Sequence, residues 1–148
     1  MDDDAVALRL GRLVIASARL ELEVAHLAKF LGGTTGNAPS QLQQFRAIRR
    51  AVNDRTDGDE IRTWVNEAND LLKARGELVH GGFLGRWKGN AMVAAYISHK
   101  RGEVVDIDLD RLDDLVDAAV RLASEGRVFS SRIFGEFVEQ LGGEYRRD

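Results

Sequence analysis

This chain of 148 residues contains a single proline, Pro39. Because proline removes a backbone donor and breaks helices, a chain with one proline can be helical almost throughout. The absence of cysteine excludes a disulfide scaffold, a thiolate zinc site and a cysteine nucleophile. With 44% hydrophobic and 30% charged residues, the composition is typical of one globular domain, residues 1–148, and not of a disordered chain.

Apolar residues at helical spacing predict four helices and a short fifth one. In chain order the predicted helices are residues 4–31, 40–54, 57–80, 109–125 and, as a tail helix, 130–141. Gly126 is expected to end the fourth helix, as glycine often does. Residues 33–40 are expected to form a loop, and residues 142–148 a frayed tail.

Between the third and fourth helices the hydrophobic period changes to two, which is the period of a strand. Residues 83–88 and 91–99 predict a hairpin, because Gly89-Asn90 suits a two-residue turn. Residues 103–107 predict a third short strand after a turn at Gly102. The expected fold is mainly α, a bundle of four to five helices with a small antiparallel β hairpin or meander.

The first predicted helix has a wider apolar surface than one neighbour requires. Leu8, Ile15 and Leu22 form a second stripe beside the main one, so we expect a homodimer that uses this second stripe. The main stripe consists of Val6, Leu10, Leu13, Val14, Leu20, Val24, Leu27 and Leu31.

Charge and hydropathy suggest where the protein works. No apolar run approaches the roughly 20 residues of a membrane span, and the N-terminal sequence MDDD is unlike a secretory signal. We therefore expect a cytoplasmic protein without membrane contact. The formal net charge of −3 discourages a protein-wide field for nucleic acid, but residues 78–102 contain four cations and no acidic residue.

Arg75 lies within the apolar stripe that runs from Ile61 to Val79 on the third predicted helix. An arginine in such a stripe is costly unless its charge is paired or faces a cleft. One interpretation is a ligand-binding group. The alternative is a structural ion pair with a carboxylate such as Glu21 or Glu23.

His80 follows Arg75 by five residues, directly before a Gly-Gly pair that would leave room for a ligand. The alternative is a histidine favoured only by the negative end of the helix dipole. Glu77 lies three residues before His80 and could orient its imidazole, or it could pair with Lys73 on a solvated face.

The segment ARGELVHGGF holds Arg75 and His80 as Arg-x4-His at the end of an amphipathic helix. In this it resembles the HEPN superfamily of helical domains. The resemblance implies a bundle of four to five helices that dimerises, so that two motifs meet across a cleft. Many members are metal-independent endoribonucleases of toxin–antitoxin and other defence systems, and others are catalytically silent nucleotide-binding or interaction modules.

Carried over by position, Arg75 and His80 become the catalytic candidates, with Glu77 as a third. Such a site would need no metal and no cofactor, and an antitoxin or another protein would be a possible partner. Gly76 departs from the pattern, because active members usually have a polar residue after the arginine. This departure leaves open a silent HEPN-like module.

The chemistry of these residue types suits RNA cleavage, in which a 2′-OH attacks the adjacent phosphate. Histidine can act as acid or base near neutral pH, and the arginine fork matches phosphate oxygens. Because the motif supplies one histidine per chain, a mechanism with two histidines would require a dimer. His26 and His99 lack the spacing of metal ligands.

Cations and aromatic residues alternate in the predicted hairpin region, as in single-strand RNA-binding surfaces. The RNA-binding candidates are Arg86, Trp87, Lys88, Tyr96, Lys100 and Arg101. The alternative is a hairpin whose charged edges discourage aggregation. A third possibility for the whole chain is a helical adaptor in which Arg75 is salt-bridged within one chain.

Overall fold

The computed structural model describes residues 3–32 and 40–145, and in these ranges the chain forms four helices and one antiparallel sheet. The helices are α1 (Asp3–Gly32), α2 (Gln41–Ala51), α3 (Gly58–His80) and α4 (Leu109–Tyr145). Three strands lie between α3 and α4, namely β1 (Gly82–Lys88), β2 (Ala91–Ile97) and β3 (Val104–Asp106). The mainly helical fold with a small β meander is confirmed. The predicted loop at 33–40 lies outside the described residues except for Ser40.

Side-chain caps explain two of the helix starts. At α2, Ser40 Oγ accepts a hydrogen bond from the backbone N–H of Gln43, and Gln43 Oε1 accepts one from the backbone N–H of Ser40. This reciprocal pair is a capping box. At α4, the Asp108 carboxylate accepts a bond of 3.0 Å from the backbone N–H of Asp110, which caps the start of the helix.

Asp57 and Glu60 have the sequence spacing that predicts a capping box at the start of α3, but this box does not form. Asp57 makes no side-chain hydrogen bond to the helix. Its carboxylate instead accepts bonds from Arg55 at 2.7 Å and from Arg132 of α4 at 3.1 Å. The Asp57 backbone, at φ −94° and ψ 12°, does not have the extended conformation of a capping residue, and its carboxylate binds the two arginines instead.

The core forms where α1 and α4 lie side by side in the same direction. Near their starts, Arg9 Nε and Asp113 Oδ2 are 2.9 Å apart. About six helical turns farther along, the rings of Phe30 and Phe134 are 5.3 Å apart. Helices α2 and α3 complete the core, whose fully buried large side chains are Phe45, Leu13, Leu20, Leu27, Ile48, Ile61, Leu112, Leu122, Val24, Val52 and Val65.

Most of the apolar residues that helical spacing assigns to the core are buried, but three of them are exposed. Val14, Leu42 and Val79 are exposed, although each has helical spacing to core residues. Leu78 is buried in place of Val79, because the sheet covers that side of α3. The second stripe of α1, predicted to be separate from the core, is indeed exposed.

Helix α4 does not end at Gly126 but continues to Tyr145, so the predicted fourth helix and tail helix are one. A Cβ placed on Gly126 would lie 2.5 Å from Trp64 Cζ2, and Trp64 Nε1 donates to the Leu122 carbonyl at 2.8 Å. A glycine costs a helix about 1 kcal/mol, whereas burying a large ring stabilises by on the order of 3 kcal/mol. Gly126 is therefore a packing site, which sequence alone does not distinguish from a terminator. Of the predicted tail, residues 142–145 belong to α4 and residues 146–148 lie outside the described range.

The sheet has the order β1-β2-β3, with both pairs antiparallel. Strand β1 pairs with β2 so that Lys88 lies opposite Ala91, which leaves Gly89-Asn90 as the predicted two-residue turn. Ala95 of the sheet is fully buried, and Tyr96 and Ile107 pack against the helical core. None of the described helices is long and apolar enough to cross a membrane.

Candidate functional site

The Arg75 side chain points toward α1 and α2. Its guanidinium Nη2 donates to Glu21 Oε1 of α1, and the same oxygen accepts a bond of 3.3 Å from Gln41 Nε2 of α2. The Arg75 side chain is 22% exposed, and its buried Nε has no hydrogen-bond partner in the described residues. The structural alternative of a pair with Glu21 is thereby confirmed. Glu21 of α1 thus links α2 and α3 through Gln41 and Arg75.

The Glu77 carboxylate binds the turn between β2 and β3. Ser98 Oγ donates to Glu77 Oε2 at 3.1 Å, and Lys100 Nζ lies 3.1 Å from Glu77 Oε1. The Lys100 bond, followed by the Ser98 bond, holds the pKa of Glu77 below its ordinary value despite some desolvation. Within the described residues, Glu77 bonds neither to His80, which it was expected to orient, nor to Lys73. The sheet brings the turn over α3, which the spacing along one helix does not reveal.

His80 is exposed at the last residue of α3 and lines an open depression of about 510 Å³. The helix contributes residues at positions 73, 76, 77 and 80, whose spacing places them on one face. The β2–β3 turn forms the opposite wall. The complete lining is Lys73, Gly76, Glu77, His80, His99 and Lys100.

His99 is the residue of this depression that the sequence analysis missed. It is 19 positions from His80, and no local spacing relates the two. They come together because the hairpin reverses the chain once, so that Ile97 pairs with Gly82 and the residues after β2 return to the end of α3. The sequence signal was the predicted two-residue turn at Gly89-Asn90, which fixes the hairpin register and so returns position 99 to the end of α3.

Gly81 does not leave room for a ligand, contrary to the expectation from the Gly-Gly pair. A Cβ at this position would lie 2.9 Å from Tyr96 Cδ2 and 3.0 Å from the carbonyl oxygen of Ile97. The space is filled by β2. Gly81 therefore allows α3 to approach the sheet closely, and the opening lies on the other side of His80.

Residues 78–102 contain four cations and no acidic residue, but in the folded chain three of these cations pair with carboxylates from outside this segment or from α3. Arg86 Nε and Lys88 Nζ lie 2.7 and 3.1 Å from the carboxylate oxygens of Asp106 on β3. Their hydrogen bonds, that of Lys88 first, hold the pKa of Asp106 below its ordinary value. Lys100 is paired with Glu77, as described above. Of these predicted RNA-binding cations, Arg101 makes no ion pair within the described residues.

The two aromatic RNA-binding candidates differ in accessibility. Trp87 is 69% exposed and lies opposite Met92. Tyr96 lies opposite Phe83 and is half-buried against the core, so its ring is less available to a nucleobase. Phe83, which is exposed and four residues before Trp87 on the same face of β1, was not among the candidates.

A second cleft, of about 390 Å³, lies on the other side of the β2–β3 turn, between the sheet, α3 and α4. Its wall mixes both signs of charge, with the carboxylates of Glu77, Glu103, Asp106 and Asp108 and the cations Lys100, Arg101 and Arg111. An anion entering it would meet more carboxylates than cations. The depression at His80 is the better place for a phosphate.

In the described part of the chain, no group of three or more His, Asp or Glu side chains is placed so that it could hold a metal ion. Comparison with protein-family models, with curated proteins and with solved structures finds no match to this chain. The assignment of a function therefore depends on the geometry of the residues themselves.

Proposed function

We propose that this chain is a HEPN-like helical domain that acts as a homodimer, binds RNA and cleaves it without a metal ion. The main support is the position of His80 at the open end of α3, where its imidazole lines a depression with Lys73. An accessible imidazole beside an ammonium group combines proton transfer with attraction for phosphate.

In the proposed reaction the 2′-OH of the RNA attacks the adjacent phosphate and displaces the 5′-oxygen of the next nucleotide. His80 exchanges a proton with one of these oxygens, and lysine side chains at the rim attract the phosphate. A 2′,3′-cyclic phosphate and a free 5′-OH are the expected products.

Arg75 takes part as a phosphate ligand only if it exchanges Glu21 for a phosphate oxygen. Both partners are anions that a guanidinium binds through charge-assisted hydrogen bonds. The unpartnered Nε of Arg75 provides one further donor for such an exchange. In this proposal the approach of RNA or of a second chain opens the pair.

The proposed homodimer uses the second stripe of α1. Leu8, Ile15 and Leu22 are 54%, 60% and 54% exposed and recur every seven residues, the spacing of a helix–helix seam. Leu22 also lines a groove with Val120 of α4, so both long helices contribute to this face. A second copy would cover this apolar surface.

Cleavage of a labelled RNA pool in excess EDTA tests the proposal. The wild type and the His26→Gln variant, whose imidazole lies on α1 outside the depression, should give cyclic-phosphate products. His80→Gln should give none. Cleavage by His80→Gln, or cleavage by the wild type that stops with EDTA, would contradict the proposal.

A catalytically silent HEPN-like module is the second candidate, and the Arg75–Glu21 pair supports it. Arg75 is engaged within its own chain, and Gly76 supplies no polar side chain beside it. Such a module would bind nucleotide, RNA or a protein such as an antitoxin without cleaving. Retention of labelled RNA in a filter assay, with intact RNA recovered, would favour this candidate.

RNA binding by the sheet can be tested through Asp106 and Trp87. Asp106→Asn should release Arg86 and Lys88 from their shared carboxylate, tighten RNA binding and steepen its dependence on salt. Trp87→Ala should weaken binding because a stacking ring is lost. Unchanged affinity in both variants would exclude the sheet as the RNA surface.

A further inference from the structure

The depression at the end of α3 brings together two imidazoles of the same chain. His80 comes from the helix and His99 from the β2–β3 turn, and both are exposed. Neither makes a hydrogen bond within the described residues, and neither pairs with a carboxylate there. Both imidazoles can therefore accept a ligand without breaking an existing interaction.

The turn that carries His99 is held in a fixed position. The backbone N–H of Ser98 donates to the Glu103 carbonyl at 2.8 Å, and the N–H of Gly102 donates to the Ser98 carbonyl at 2.8 Å. Gly102 has a φ of +66°, which suits glycine. Glu77 then ties the turn to α3 through Ser98 and Lys100. Glu77 is thus a positioning residue for His99.

The floor and charge of the depression suit a phosphodiester. Gly76 lies between Lys73 and His80 on the helix face, and a Cβ there would meet nothing within 4 Å. The missing side chain leaves the floor open. Lys73 is unpaired in the described residues, and the charge of Glu77 is offset by Lys100, so the net charge of the wall is positive before either imidazole is protonated.

We propose that His80 and His99 of one chain bind the same RNA phosphodiester and act as its acid and base. This inference rests on the proposed ribonuclease function and deepens it. It assigns the second histidine of the reaction to the same chain, so that the partner subunit need not supply an imidazole.

The two imidazoles together account for both proton transfers of the cleavage step. One neutral imidazole takes the proton of the 2′-OH as the bond from O2′ to phosphorus forms. The other, protonated, imidazole gives its proton to the 5′-oxygen as the bond from phosphorus to that oxygen breaks. Exchange with water then restores both protonation states. Lys73 and Glu77 of α3 and Lys100 and Arg101 of the turn are the charged groups around the pair.

The first test compares cleavage rates of His80→Gln, His99→Gln and the control His26→Gln in EDTA. Both variants in the depression should lose about 10²–10⁴-fold in rate, and His26→Gln should keep the wild-type rate. The wild-type rate should pass through a maximum as the pH is varied, and each variant should lose one limb of this profile. A fully active His99→Gln variant would overturn the inference while the proposed function stands.

Mixing the two inactive variants tests whether the pair belongs to one chain. If both imidazoles come from the same chain, a dimer of His80→Gln and His99→Gln contains no complete pair at either depression and stays inactive. Recovery of activity on mixing would show that the pair forms across the dimer and would overturn the inference.

A binding measurement separates this inference from the proposed function. Titration with a 2′-O-methyl RNA oligonucleotide, which cannot be cleaved, should shift the imidazole NMR signals of His80 and His99 but not of His26. Such shifts in a wild type that cleaves no RNA would keep the phosphodiester site and reject the proton-transfer role together with the ribonuclease. The absence of shifts at His99 would overturn the inference.

Discussion

Arg75 and His80 are five positions apart on one helix, yet their side chains belong to different environments. Arg75 is turned inward and linked to Glu21, and His80 is turned outward into an open depression. An offset of five residues corresponds to about 140° around a helix. The two therefore serve one phosphate only if Arg75 leaves its present partner.

Arg75→Met should lower the free energy of unfolding by about 1–2 kcal/mol, because the pair is half-buried and so falls between exposed and buried ion pairs. Urea denaturation measures this. The control is Arg62→Met on the same helix, whose pair with Asp59 is exposed and should matter by less than about 1 kcal/mol. A loss for Arg75→Met no larger than that of the control would contradict a structural role for the arginine.

At the scale of single elements, the ends and contacts of helices depend on what packs against them. Helix α4 passes through Gly126 because the Trp64 indole occupies the space of its missing side chain. Helix α3 ends at His80, where Gly81 lets β2 approach to within contact of the helix. Glycine thus lies inside one helix and directly after the end of another, and in both places it makes room for the element that packs against it.

Gly126→Ala and Gly135→Ala, both in α4, should have opposite effects on stability. At Gly135 a Cβ meets nothing within 4 Å, so the alanine should stabilise by about 0.5–1 kcal/mol through helix propensity. At Gly126 the Cβ would overlap Trp64, and overpacking should cost about 1–3 kcal/mol. Thermal and urea unfolding measure both. Equal effects at the two positions would show that Trp64 shifts freely.

Glu77 should stabilise the β2–β3 turn in a pH-dependent way. Its pKa is lowered in the folded chain, chiefly by Lys100, so its contribution is complete above the pKa of an unfolded glutamate and is lost as pH falls through the folded value. Glu77→Gln should therefore be less stable than wild type at pH 7, and the difference should disappear in acid. Glu60→Gln, an exposed position in the first turn of α3, is the control. A difference for Glu77→Gln that persists in acid would contradict the assigned role of its charge.

At the scale of the whole molecule, the chain exposes more surface than a compact monomer of the same mass does. The accessible surface is 9642 Å², whereas a compact monomer of this mass exposes about 7,500 Å². Exposed large apolar side chains lie on α1 and α4, at residues such as Ile15, Val128 and Phe137. A dimer interface covers about 800 Å² of each chain, so the free surface is ample for a second copy.

Replacing Leu8, Ile15 and Leu22 together by glutamine should shift sedimentation from dimer to monomer, because the apolar surface that drives association is lost. All three are exposed in the single chain, so folding should be retained. Leu42→Gln is the control, since this leucine of α2 is equally exposed at 53%. An unchanged dimer would show that another face, such as the C-terminal part of α4, forms the interface.

Local rules were sufficient to predict the first three helices, the start of α4 and the hairpin from the sequence. These features depend on residues within one turn or one hairpin of each other. The candidate motif Arg75 and His80 was also visible in this way. The pairing of Arg75 with Glu21 was foreseen as one of two possibilities, because a charge in an apolar stripe needs a partner.

Only the tertiary structure decided how distant residues meet. It placed Asp106 beside Arg86 and Lys88, so a run of cations along the chain is not a run of free charges in space. It packed Trp64 on Gly126 and set His99 beside His80. Such contacts depend on strand register and helix packing, which are set by the core as a whole. The sequence by itself therefore determined the elements and the motif, and the packing of those elements determined the composition of the candidate site.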